Sequence, residues 1–143
     1  LNFSIIMAGF SDAFIQNIIN EHFGATAHAA AATYYFALFT TAPNDNGAGG
    51  VEVSGGSYAR VSVTNNTTNF PAAALGAGQV VNGTAITFPA ATAPWGDVVA
   101  VGIYKHATNV TSADFIGWVA KTKTVANGDI VTIPIGGFSA SLT

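Results

Sequence analysis

The sequence predicts a mainly β fold, an antiparallel β-sandwich or jelly-roll-like barrel with one N-terminal α-helix. Three observations lead there. After Ala32 the chain is a succession of short apolar or alternating runs separated by Asn, Gly and Pro, the pattern of strands joined by turns. Only one segment, near the start, repeats its apolar residues at helical spacing. A length of 143 residues makes a single domain the default, and a chain of that size hides roughly 70% of its unfolded surface.

The elements follow in order. Residues 1–10, LNFSIIMAGF, are apolar and carry no Lys or Arg, so they lack the basic start of a secretory leader. They are expected to form an apolar arm ahead of a single sandwich domain over 11–143. Met7 is a candidate initiator with 1–6 as an upstream extension, and Leu1 from a non-standard start codon fits equally well. A leading helix is expected over 11–23. Ser11 can cap it, Asp12 suits the positive end of the helix dipole, and Gly24 can end it. Phe14, Ile15, Ile18, Ile19 and Phe23 share one face. A helix of about twelve residues is marginal alone, so this one must lie on something.

Strands are expected at 33–40, 58–64, 84–88, 97–105, 114–122, 129–135 and 138–143. In YARVSVT the alternation puts Tyr58, Arg60, Ser62 and Thr64 on one face and Ala59, Val61 and Val63 on the other. Pro134 argues for an edge strand. Trp118 reads as core, whereas Trp95, in APWG, reads as a turn residue. Two long connections, 42–57 and 65–79, exceed the roughly 12 residues beyond which loops are usually functional or disordered. The stretch 22–44 is uncharged, but His22, Gly24, Thr26, His28 and Thr33 interrupt it. No run approaches the 18 or so apolar residues of a membrane span, so the expectation is a soluble protein.

Charge is scarce. Only 8% of residues are charged, against roughly 25% in an average domain, while 50% are hydrophobic and the mean hydropathy is +0.43. A freely diffusing enzyme usually keeps more charge for solubility. Such a surface suits a subunit of an assembly, hidden at several interfaces. The basic residues are four, Arg60, Lys105, Lys121 and Lys123, too few for the clustered phosphate contacts of nucleic-acid binding. Cysteine is absent, which excludes disulfides and thiolate metal sites.

No motif carries catalysis or a cofactor. The loop GGVEVSGGSYAR has neither the Lys nor the following helix of a phosphate-binding loop, and its glycines suit turns. No G-x-S-x-G elbow occurs. His22 and His28 lie six apart without the H-E-x-x-H pattern. Asp45, between Asn44 and Asn46, fits a turn better than a calcium loop. Glu52 and Asp97 could be paired carboxylates, but Asp97, Asp114 and Asp129 each precede a strand, a turn position. The expectation is therefore a non-enzymatic chain with no cofactor and no metal.

Several segments taken in order resemble a family of small tailed-bacteriophage virion proteins, often labelled tail fibre proteins. They are AGFSDAFIQNIINEHFG, YYFALFTTAPNDNGAGGVEVSGGSYARVSV, WGDVVAVGIYKHAT and KTVANGDIVTIPIGGFSASLT. The resemblance implies a non-enzymatic virion component. Within that class the short chain, without coiled coil or repeats, the sparse charge and the apolar start favour a capsid cement (decoration) protein, a homotrimer clamping major capsid protein subunits on the outer shell. Phe3, Ile5, Ile6 and Phe10 would anchor the arm on neighbours, and Phe14, Ile18 and Phe23 would seat the helix. The alternative is a tail fibre or tail-tip module that binds a host receptor through Trp95 and the 42–57 and 106–113 loops. Neither reading involves nucleic acid or a membrane.

Overall fold

A computed structural model describes residues 1–3, 5–7, 9–72 and 78–141. Its elements are β1 (Ile5–Met7), β2 (Gly9–Phe10), α1 (Asp12–Phe23), β3 (Thr33–Thr41), β4 (Val51–Glu52), β5 (Val61–Thr64), β6 (Gln79–Val81), β7 (Ile86–Thr87), β8 (Gly96–Tyr104), β9 (Phe115–Val125), β10 (Thr132–Ile133) and β11 (Phe138–Ser141). Among the described residues the protein is mainly β with one helix, a two-layered sandwich as its sequence predicts.

The larger layer is antiparallel, in the order β2-β9-β8-β3, with β4 and β5 sharing the other edge of β3. Its centre, β3 and β8, is buried on both faces. Phe36 and Leu38 point into the core between the layers. Ala37 and Phe39, their neighbours in sequence, point the opposite way into a second cluster with Ala100, Tyr104 and Phe115. This two-sided burial is why TYYFALF is an unbroken apolar run rather than an alternating one. Gly117 admits the short strand β2. A Cβ at that position would collide with the carbonyl oxygen of Gly9.

The second layer depends on the first seven residues. β1 pairs in parallel with β11, which pairs antiparallel with β6; β10 pairs antiparallel with β7. Ahead of β1, the Phe3 N–H donates to the Thr132 carbonyl at 2.7 Å and the Thr132 N–H to the Leu1 carbonyl at 2.7 Å. One strand thus runs beside both β10 and β11 and ties two short sheets into one layer. Phe3 is 0% exposed and Ile5 2%. The segment expected to be an arm for neighbouring chains is paired within its own chain here, because Phe3 and Ile5 have an apolar slot against Phe36, Ile133 and Phe138 in the same core.

The helix keeps its predicted bounds. Ser11 Oγ accepts from the Phe14 N–H at 3.2 Å and donates to the Phe115 carbonyl at 2.7 Å, so the cap also fastens α1 to β9. The Gly24 N–H closes the far end on the Asn20 carbonyl at 2.9 Å. Yet no residue of α1 is buried.

Three local expectations change. The strand expected over 58–64 begins only at Val61, because Ser57 has a φ of 62° and turns the chain. Tyr58 therefore leaves the face of Arg60 and packs on the main core. Pro134 marks a turn rather than an edge, closed by the Gly137 N–H on the Pro134 carbonyl at 2.8 Å. Trp118 is half-buried against the outer cluster instead of lying in the main core. Of the strand expected at 138–143, residues 142–143 lie outside the described residues.

Replacing Phe3 by Ala empties a fully buried site and is expected to cost about 3–5 kcal/mol. Urea unfolding measures it. A free arm would leave the midpoint where it is.

Candidate functional site

The Gly-rich loop 42–57 leaves β3, lies over its outer face and returns through β4. Gly47 sits against Phe115 at a φ of +81°, where a Cβ would come within 2.9 Å of the ring. Gly50 packs on Phe39 and Pro43 in the same way. The glycines bring backbone close over the outer aromatic cluster.

One arginine fixes the loop's return. Arg60 Nη2 and Nε donate to the two carboxylate oxygens of Glu52 at 2.7 and 2.9 Å, the bidentate fork that carboxylates favour. The guanidinium carbon lies 4.0 Å from the centre of the Tyr104 ring. Arg60 Nη1 reaches the other way, donating to the His106 and Asn109 carbonyls at 2.9 and 3.0 Å. The loops 42–57 and 106–113 are therefore held together by one side chain, which is only 5% exposed. Tyr58 completes the network: its hydroxyl donates to Glu52 at 2.8 Å and accepts from the Leu38 N–H at 2.9 Å. Burial, reinforced by the Glu52 charge, pushes the Tyr58 hydroxyl far above its ordinary range. Burial also raises Tyr104, against the opposing pull of the Arg60 cation. Burial alone would lower Arg60, but its bonds to Glu52 and the Glu52 charge outweigh that and hold it above its usual value.

The 106–113 loop is ordered from inside as well. Asp114 accepts from Thr111 Oγ1 at 2.6 Å and from Asn109 Nδ2 at 3.2 Å. The Thr111 bond is the main cause of a lowered Asp114 carboxyl. The backbone of Lys105 and Asp114 closes the loop at 2.7 Å. Residues 106–113 are all exposed, and His106, Thr108, Asn109, Thr111 and Ser112 give them a hydrogen-bonding surface beside the exposed Val110.

Other sequence-selected residues scatter. Phe3 and Ile5 are core, and the Ile6 side chain lies outside the described residues. Trp95 is 6% exposed, with its indole N–H donating to the Gly56 carbonyl at 3.0 Å. The aromatic ring expected at a turn is covered by loop 42–57. Phe10 and Phe14 stack at 4.9 Å between centroids and, with Ile18, line an apolar groove of about 590 Å³ that Phe70 and Phe138 close from the other side. Phe23 stands clear at 90% exposed.

The carboxylates weighed as a catalytic pair are engaged separately, Glu52 by Arg60 and Tyr58, and Asp97 by Thr124 Oγ1 at 2.5 Å. Among the described residues no group of three or more His, Asp or Glu is placed to hold a metal. No helix among them is long and apolar enough to cross a membrane. Sequence reasoning missed the roles of Arg60 and Glu52. The available signal was that Arg60 is the sole arginine, directly after the glycine loop that holds Glu52.

A family model described as podophage GP4 fiber I protein gp80 matches residues 9–141. No curated protein matches the chain.

Replacing Arg60 by Met leaves the Glu52 carboxylate without its cation and two loop carbonyls without their donor. The expected cost is near the lower end of the roughly 3–5 kcal/mol for a broken buried pair, since Glu52 is partly exposed. Limited proteolysis should show cleavage within 106–113 in this variant first. Arg60→Lys should recover only part of the loss, because an ammonium cannot span both loops from one plane.

Proposed function

The chain belongs to the podophage GP4 fiber I protein gp80 family and is a structural protein of a phage virion; from that premise we propose that it is a tail fibre module that meets the host surface through its 42–57 and 106–113 loops. The observation that carries this reading is the Arg60 bridge. Two exposed loops from different parts of the chain are fixed to one another before any ligand arrives, so little ordering entropy remains to be lost on binding.

The chemistry of the loops suggests the kind of surface. Their exposed groups are mostly Asn, Thr and Ser side chains and Gly-rich backbone, with Asp45, His106, Val51 and Val110 among them, and the chain carries a net charge of −3. A neutral, hydroxyl-rich glycan offers the matching donors and acceptors. A polyanionic envelope does not, because Arg60, the cation between the loops, is already occupied by Glu52. With Trp95 covered, recognition would proceed by hydrogen bonds rather than by stacking on that ring. The module binds and positions, and performs no catalysis.

A cement role on the capsid is the second reading. The exposed apolar side of α1 supports it, since such a surface could clamp shell subunits.

Gold-labelled antibody against the chain, applied to purified virions, separates the two. Label confined to the tail is the expected result. Label spread evenly over the capsid shell would replace the fibre reading with the cement one.

A further inference from the structure

We propose that α1 is a self-association element, in which the exposed stripe Ile15, Ile19 and Phe23 of one copy packs antiparallel on α1 of a second copy, Ile15 against Ile19, across a two-fold axis. This goes beyond the fibre reading and does not depend on what the loops bind. The three side chains are four residues apart and 41%, 50% and 90% exposed. Phe14 and Ile18 point elsewhere, into the groove. A 12-residue helix with no buried residue gains little from its own fold, and a helix that short is marginal unaided.

The charges decide what covers it. Residues 1–59 contain no Lys or Arg, so α1 lacks the cationic flank with which amphipathic helices settle on anionic lipid. Asp12 lies in its first turn and His22 in its last. At about 100° per residue both fall on the side of the stripe. In an antiparallel pair with Ile15 opposite Ile19 of the second copy, Asp12 comes opposite His22 of that copy and Phe23 comes to its N-cap, Ser11. The two-fold axis makes the contact twice. The imidazole can donate to the carboxylate, and the two helix dipoles oppose. Parallel helices about a three-fold axis would instead gather three Asp12 carboxylates and align the dipoles, both unfavourable. The α1 surface is therefore self-complementary in the two-fold arrangement.

The patch is small, in the range of transient interfaces, and a dissociation constant on the order of 10 µM is expected. Copies carried close together on one particle would associate through it, and dilute ones would separate.

Sedimentation equilibrium of the full chain tests this. The wild type should show a reversible monomer–dimer equilibrium. Ile19→Glu sets like charges against each other near the axis and should weaken it about a hundredfold, with an unchanged urea midpoint. Asp12→Lys and His22→Glu should each weaken the dimer. An equimolar mixture of those two variants should restore association, because the introduced ammonium and carboxylate then meet at one end and the wild-type Asp12–His22 contact forms at the other. A wild type that stays monomeric to about 1 mM, a dimer that Ile19→Glu leaves intact, or a mixture no more associated than its components overturns the proposal. None of these outcomes bears on where the protein sits on the virion.

Discussion

The structure turns on a sheet centre that must be covered twice. β3 and β8 carry large apolar side chains on both faces, so one covering layer is not enough. The β1–β11–β6 and β10–β7 strands cover one face. Among the described residues no second sheet covers the other, and a loop does the work. A loop can cover an aromatic cluster only by close backbone approach, which is why glycine recurs where Gly47 and Gly50 meet Phe115 and Phe39. Glycine loops also lose the most entropy on ordering. The Arg60–Glu52 fork and the Tyr58 hydroxyl offset that loss at the point where the loop rejoins the sheet. The ion pair, the glycines and the two-faced strand are three consequences of one packing demand.

Local patterns were legible and distant pairings were not. The helix could be read to within a residue because its cap, spacing and terminating glycine all lie within one short stretch. TYYFALFT was readable as a buried strand for the same reason. The first seven residues read as an arm because their partners, Thr132 and Phe138, lie some 130 positions away and pair in parallel. Nothing in LNFSIIM distinguishes a surface waiting for another chain from a slot waiting in its own. Trp95 shows the same limit. Its turn position was legible, but the loop that covers it comes from Gly56, 39 residues earlier. Arg60 and Glu52 are separated by eight residues, yet they face each other only because Ser57 breaks the alternation between them.

Sparse charge was the most informative sequence feature, and the fold sharpens what it means. The strands of the second layer, within 1–7, 79–88 and 130–141, contain no ionisable side chain. The Arg60–Glu52 pair lies inside the loop clamp, Asp12, Glu21, Asp45, Asp97 and Lys123 are exposed at separate places, and Asp12 and His22 stand at opposite ends of α1. Hydration of the remaining surface falls to Thr, Ser and Asn, whose hydroxyls and amides bond water without long-range repulsion.

That distribution bears on assembly. Like-charged copies repel over a Debye length of about 8 Å at physiological salt, a penalty that rises with every copy packed onto a particle. A nearly neutral surface removes the penalty but also removes the steering that charges give to encounter. Specificity must then reside in shape and in short-range polar contacts. The chain offers both in different places: hydrogen-bonding loops fixed by Arg60 at one site, and an apolar stripe between Asp12 and His22 on α1 at another. Because the two sites share no side chain, binding at one leaves the other free. The proposed fibre role and the proposed self-association draw on that separation, one surface for each.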